Sequence, residues 1–336
     1  MKKTILFILM CLLGFTINAQ SKCDYSLYEA NKMYDKGLIY DAVQLLEPCF
    51  IQDNLAASEK FDAARLLALC YLYLDNNDSA EFYVKKMLKL KPDYQKYPNI
   101  DPHGLTVILN KYEVVKSLEL GLSTGLSLNQ VQVIKNYSTA NTPSTYNSKI
   151  GLRGGLLLEY HMRNKFSLLM NPSVSTMSYE RSLENVSGSK KDYSELISSF
   201  SIPIFIRKYQ PIGKWNLHYE AGIEWNWIMR SFADVQSTNL LDKSVIQSST
   251  ETTSYRNRGL MAARLGVGAS KPFGKGTLSV TFNYVDFLTN FVDPDRRYDN
   301  SDFIISSQYI DSDFRISSFG MFVSYQVPIT YSVIMK

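Results

Sequence analysis

The chain has 336 residues, a formal charge of +4 and 45% hydrophobic residues. That length allows more than one domain, and loss of Lys2 and Lys3 with an N-terminal signal brings the charge close to neutral, which gives no electrostatic footing for nucleic acid as a partner. No stretch beyond the N-terminal signal approaches 18 uninterrupted apolar residues, so spanning helices are excluded, whereas spanning strands, whose apolar residues alternate with polar ones, are not.

Residues 1–19 read as a secretory signal peptide. Lys2 and Lys3 form the charged start, residues 4–15 the apolar core, and Ala19-Gln20 the expected cut. Ile17 is larger than the small residue preferred at its position, which leaves the exact cut open. Residues 20–95 carry helical periodicity and no strand alternation. Helices are expected near 26–36, 40–50, 58–74 and 79–90. Two segments recur at a constant offset: Ala30, Gly37, Ala42 and Cys49 correspond to Ala68, Asp75, Ala80 and Met87, and Pro92 closes the second copy. These spacings resemble the tetratricopeptide repeat, in which small residues let paired antiparallel helices touch. A plain helical bundle fits the same pattern. In either form, stacked helix pairs make grooves suited to binding protein.

Cys11 leaves with the signal. Cys23 precedes the first helix and Cys49 ends the second, which makes them neighbours at one end of an antiparallel hairpin and candidates for a disulfide. Cys70 lies among leucines and reads as a buried thiol. No C-x-x-C or His/Cys cluster points to a metal, and no cofactor is expected. Pro92, Pro98 and Pro102 form a stiff connector, and residues 96–113 are a linker whose Asp101 caps a short helix at 105–112.

Residues 114–336 read as an eight-stranded antiparallel transmembrane β-barrel, so the whole chain is an α+β multidomain protein. From 117 to 128, Leu118, Leu120, Leu122, Leu126 and Leu128 alternate with serine, glycine and Glu119; Trp215 to Trp227 repeats the pattern. Further strands are expected near 149–161, 166–179, 195–209, 215–232, 258–270, 277–290 and 314–329. Connections at 129–148, 180–194, 233–257 and 291–313 are long and polar; those at 162–165, 210–214 and 271–276 are tight. This alternation is expected when long loops face outward and short turns face the periplasm. Both ends of an even-stranded barrel then lie on the periplasmic side, with the helical head. Aromatic residues at the tight turns, Tyr160, Phe166, Tyr209 and Trp215, suit a membrane–water interface. Glu119, Arg153, Glu159, Arg207, Glu220, Glu224 and Arg264 fall on the parity opposite the apolar row and are expected to pair within a filled lumen.

The run Ser201-Ile202-Pro203-Ile204-Phe205-Ile206-Arg207-Lys208-Tyr209, the strand Tyr219-Glu220-Ala221-Gly222 and the glycine-spaced Gly266-Val267-Gly268 resemble the PorT-like and OmpA-like small outer-membrane barrels. Leu45-Leu46-Glu47-Pro48-Cys49 and Asn110-Lys111-Tyr112 resemble a subgroup with a helical periplasmic head. Gly320, Val323 and Tyr325 resemble a barrel-assembly signal, although residues 329–336 run on beyond it. The resemblance implies location in the outer membrane of a Gram-negative bacterium, with outer-membrane lipid around the barrel. It also implies a periplasmic protein partner for the head, in secretion or envelope assembly. A lipid-modifying outer-membrane enzyme and a small solute channel are the alternatives. His103, His161 and His218 are the histidines open to catalysis, but no G-x-S-x-G, H-E-x-x-H or phosphate loop accompanies them, and no catalytic residue is expected.

Overall fold

The computed structural model describes Cys23 and residues 25–94, 101–137, 144–186, 189–299, 301, 304 and 310–336. The signal-peptide reading, Cys11, Pro98 and parts of the expected outer loops lie outside them. The chain divides into two compact units. One runs to Val115 and includes Tyr331–Lys336; the other is Lys116–Thr330.

The first unit holds α1 (Ser26–Asp35), α2 (Ile39–Ile51), α3 (Lys60–Tyr73), α4 (Asn77–Leu90) and α5 (His103–Lys111). None of these is long and apolar enough to cross a membrane, which says nothing of strands. The offset between the two sequence copies reappears in the backbone: the starts of α2 and α4, at Ile39 and Asn77, are in step with it, and so are the ends of α1 and α3, at Asp35 and Tyr73. Gly37 and Asp75, at matching turns, both take left-handed backbone, with φ of 78° and 56°. Glycine adopts that conformation freely, and aspartate is one of the few others that does so at modest cost. Ala30, Ala42, Ala68 and Ala80 are wholly buried, so the helices approach where side chains are smallest. Around them Leu46, Leu67, Val84, Met87, Leu105 and Leu109 complete the core.

Polar ties close this core. Glu47 accepts hydrogen bonds from Tyr71 at 2.8 Å and Tyr83 at 2.6 Å. Asp101 does not serve as the expected cap: α5 starts after Pro102, and Asp101 accepts from Arg65 at 3.0 Å and from Tyr94 at 2.8 Å. A buried carboxylate is held more strongly by a guanidinium than by one backbone N–H, and this pair ties the connector to α3. Cys23 and Cys49 form a disulfide with Cα atoms 5.6 Å apart, and Cys70 is a free, buried thiol.

The second unit is a sheet closed into a barrel. Its strands are β1 (Tyr112–Lys135), β2 (Ser144–His161), β3 (Phe166–Met170), β4 (Ser173–Val186), β5 (Ser189–Ile212), β6 (Trp215–Asn239), β7 (Val245–Glu251), β8 (Gly259–Phe273), β9 (Gly276–Phe287) and β10 (Asp313–Met335). β1 pairs with both β2 and β10, which completes the ring. The ten strands make eight staves. β3 and β4 share one, because the strand expected at 166–179 breaks at Asn171-Pro172; proline has no N–H for the ladder. β7 adds to the outer part of β6.

Tight turns carry left-handed backbone at Asn164 and Lys165 in the four-residue first turn, and at Gly213 and Gly274 in the two-residue turns, as such hairpins demand. The opposite end differs from expectation. Residues 180–194 and 233–257 read as loops, yet β4 and β5 pair as far as Val186–Ser189, and β6 continues to Asn239 before β7 returns. Pairing continues there through Ser, Thr, Gln and Lys, which give no apolar alternation to mark a strand. In β6 Met229 is an unpaired bulge, because Ser198 pairs with Arg230 and Ser199 with Ile228. The bulge inverts the parity: Glu224, Asn226 and Ile228 point inward before it, Ser231, Ala233 and Val235 after it.

Removing the disulfide, by Cys23→Ser or by reduction, is expected to lower the stability of the helical unit by about 3 kcal/mol, read from helix circular dichroism during urea unfolding. Burial pushes the Cys70 thiol up to about 11. It therefore stays protonated at pH 8, and maleimide should modify it only after unfolding; fast labelling of the folded chain would contradict the burial.

Candidate functional site in the barrel lumen

Alternation decides what the lumen contains. The outward parity exposes an apolar row on every stave, including Leu122, Leu152, Leu168, Ile204, Ile223, Leu265, Phe282 and Met321. The opposite parity points inward and is almost wholly buried. Four layers follow one another from the tight-turn end.

The first layer is ionic. Arg207 lies 3.0 Å from Glu159 and 3.0 Å from Glu220. Glu159 also accepts from Ser167 and Tyr209, each at 2.5 Å, and from Gln326 at 2.9 Å. Glu119 sits directly opposite Glu159 in the β1–β2 register. Such like-charge pairs are unfavourable, and each carboxylate here has its own cation: Lys116 lies 2.7 Å from Glu119, and His161 Nε2 is also 2.7 Å away. Tyr209, expected at the membrane interface, turns inward instead, because it shares its parity with Arg207. Its ring stacks on His161 with centroids 5.9 Å apart. His218 is buried and its Nε2 is 2.9 Å from Thr281 Oγ1.

In the second layer two guanidiniums share one carboxylate. Arg153 donates to Glu224 at 2.9 Å and Arg264 donates to it at 3.2 Å. Arg264 lies over Phe205 at 4.7 Å and Phe322 at 5.1 Å, so rings cover both charge and stem. With its amide oxygen turned toward Arg264, Asn283 accepts from that residue and donates to Glu220 at 2.7 Å, linking the two layers. Gly266 makes room for this link: a Cβ there would lie 2.7 Å from Glu220 Cγ and closer still to the Asn283 amide. The seven charged residues read from the sequence therefore meet in two linked groups. Glu119, Glu159, Arg207 and Glu220 form the first; Arg153, Glu224 and Arg264 form the second. With Lys116, four acids face four bases, so the network needs no outside ion to balance it.

The third layer is apolar, unlike the polar and glycine-rich inner parity read at 117–128 and 215–227. Met177, Ile197, Ile228, Leu260, Phe287, Phe314 and Ile316 fill the lumen. A cavity of about 20 Å3 lies beside it, lined in part by Ser127, Asn129, Arg153 and Ser318; that volume holds roughly one water.

The fourth layer was not read from the sequence. Arg256, which lay in an expected loop, is wholly buried and donates to Glu195 at 2.6 and 2.7 Å and to Asp311 at 2.9 Å. Glu195 also accepts from Tyr179, Ser231 and Thr252. Glu195 shares the parity of Arg207 and could have been found that way; no periodic signal marks Arg256.

Glu119, Glu159 and His161 bring ligand atoms within 4.8 Å of one another, the spacing of a metal site. Their atoms are already engaged by Lys116, Arg207, Ser167, Tyr209 and Gln326, which is the arrangement of a salt-bridged strand contact.

No protein-family model and no curated protein matches the chain. Among solved structures it is similar to Neisserial surface protein A, at 8% identity and TM-score 0.29, covering 63% of this chain and 97% of that one. It is also similar to the outer membrane protein OprG from Pseudomonas aeruginosa, at 8% and 0.32, covering 66% and 98%. The translocator domain of autotransporter NalP from Neisseria meningitidis matches at 10% and 0.28, covering 82% and 100%. Scores this low carry no argument about what the chain does.

Glu224→Ala is expected to destabilise the barrel by about 3–5 kcal/mol, because it leaves Arg153 and Arg264 side by side without their carboxylate. The urea midpoint in detergent measures this, and a loss below about 1 kcal/mol would show that water relieves the two charges.

Proposed function

We propose that the chain is a non-enzymatic outer-membrane β-barrel protein of a Gram-negative bacterium, PorT-like or OmpA-like in kind. In this reading its tetratricopeptide-like head stands in the periplasm and binds a protein partner in secretion or envelope assembly. The observation that carries the membrane reading is the closed ring of staves with apolar residues exposed on the outer parity of each and charged residues buried within. Water disfavours a continuous apolar girdle of that kind, whereas lipid requires it. Closure leaves no stave of the ring with an unpaired edge in hydrocarbon. β1 begins and β10 ends at the tight-turn end, which in bacterial barrels faces the periplasm, and an oxidising periplasm suits the Cys23–Cys49 bond.

The blocked lumen weighs against a solute channel. Against a lipid-modifying enzyme, the luminal histidines tie strands together: His161 bonds Glu119 on the neighbouring β1, and His218 reaches past β8 to Thr281 on β9. For partner binding the support is the pair of helical hairpins repeating at one offset, with Tyr28, Tyr40 and Tyr73 exposed on them.

Leu122→Arg, on the outer row, is expected to cost about 2–4 kcal/mol when the protein folds into bilayers, if the position lies near the midplane. A neutral effect, or recovery of the protein as a soluble species, contradicts the membrane reading. A photo-cross-linker at Tyr28 or Tyr73 should capture a periplasmic protein in cells, and protease added to intact cells should leave the head uncut. Capture through the barrel alone would move the binding surface there.

A further inference from the structure

We propose that the end of β10 completes the helical unit, so that this unit reaches its protected state only after the barrel has closed. Tyr331–Lys336 belong to the compact unit that contains the helices, although the whole of the other unit, Lys116–Thr330, separates them in sequence from its other members. Val333 packs against the same core as α1–α5, and so does Val114 from the start of β1. The Lys336 N–H donates to the Lys111 carbonyl at the end of α5, at 2.9 Å. β1 and β10 are hydrogen-bonded neighbours, and their pairing is the one that closes the ring.

These placements set an order of events. Before closure, bringing Val333 to the helical core means closing a loop as long as the entire barrel sequence, and the contacts of one short strand end do not offset that entropy. After β10 has zipped onto β1, the same segment is held next to its site, and docking becomes a local step at high effective concentration. The run of residues beyond Gly320, Val323 and Tyr325, which departs from the assembly-signal pattern, thereby gains a role: it carries the state of the barrel seam to the helices. A partner that recognises only the finished head would be kept from chains whose barrel is still open.

The test is refolding of the full mature chain from urea into detergent with the disulfide oxidised. Samples taken over time are assayed for barrel closure, by mobility on an unheated SDS gel, and for head folding, by protease resistance of the helical unit. In the wild type, head protection should appear with closure or after it; protection that precedes closure overturns the proposal. Val333→Asp and deletion of residues 331–336 should each give closed barrels whose head is cut at least tenfold faster than in the wild type. A closed barrel with a fully resistant head also overturns it. Where a variant fails to close, the wild-type time course decides.

Discussion

Everything in the barrel unit depends on the pairing of β1 with β10. A strand crossing hydrocarbon has no water to satisfy its N–H and C=O groups, so each stave needs a partner on both sides. Backbone contacts at the seam are close: a Cβ on Gly121 would strike β10 at Gln326, and one on Gly125 would strike Phe322. Glycine at these two inward positions allows the approach. The seam is also the place where the two ends of the barrel sequence meet, which is why the residues just outside it, Val114 and Val333, can contribute to one core.

Closing eight staves creates a narrow interior that must be filled. This chain fills part of it with paired charge. Such pairs are seldom a large source of stability, because each ion loses water on entering. Their value here is geometric. Arg207 spans from β2 to β6 through Glu159 and Glu220, and Glu224 gathers Arg153 and Arg264 from two other staves. A one-residue register slip of any one of these strands would carry its charges to the outer face and leave their partners inside unpaired. The network therefore penalises wrong registers far more than it rewards the right one. The apolar layer from Met177 to Ile316 then separates these groups from the outer Glu195–Arg256 cluster.

Alternation made the staves legible, because one parity of Leu118–Leu128 and of Trp215–Trp227 is continuously apolar. The same rule located the seven inward charges by parity without saying which of them touch. It failed where alternation ends. In the outer parts of β4 to β7 the outward face carries no continuous apolar row, and the Met229 bulge inverts the parity, so Arg256 was invisible. Tyr209 was misplaced because an aromatic residue beside a turn suits an interface and a lumen equally well; only its parity with Arg207 distinguishes them. In the head, the helices and the Cys23–Cys49 pair follow from local spacing, whereas the contribution of Val333 is a long-range contact that no local pattern encodes.

The central claim is that the outer row of the barrel faces lipid. Trp215, Trp225 and Trp227 are the chain's three tryptophans, and all three lie exposed on the outer parity of β6. At about 3.3 Å per residue along a strand tilted by about 45°, Trp215 and Trp227 stand near opposite edges of an apolar band about 25 Å tall. Fluorescence quenching of the reconstituted protein measures this directly, with lipids brominated at known depths set against aqueous iodide. The account predicts strong quenching by the brominated lipids and little by iodide. Strong iodide quenching with no response to brominated lipid would place β6 in water and contradict it.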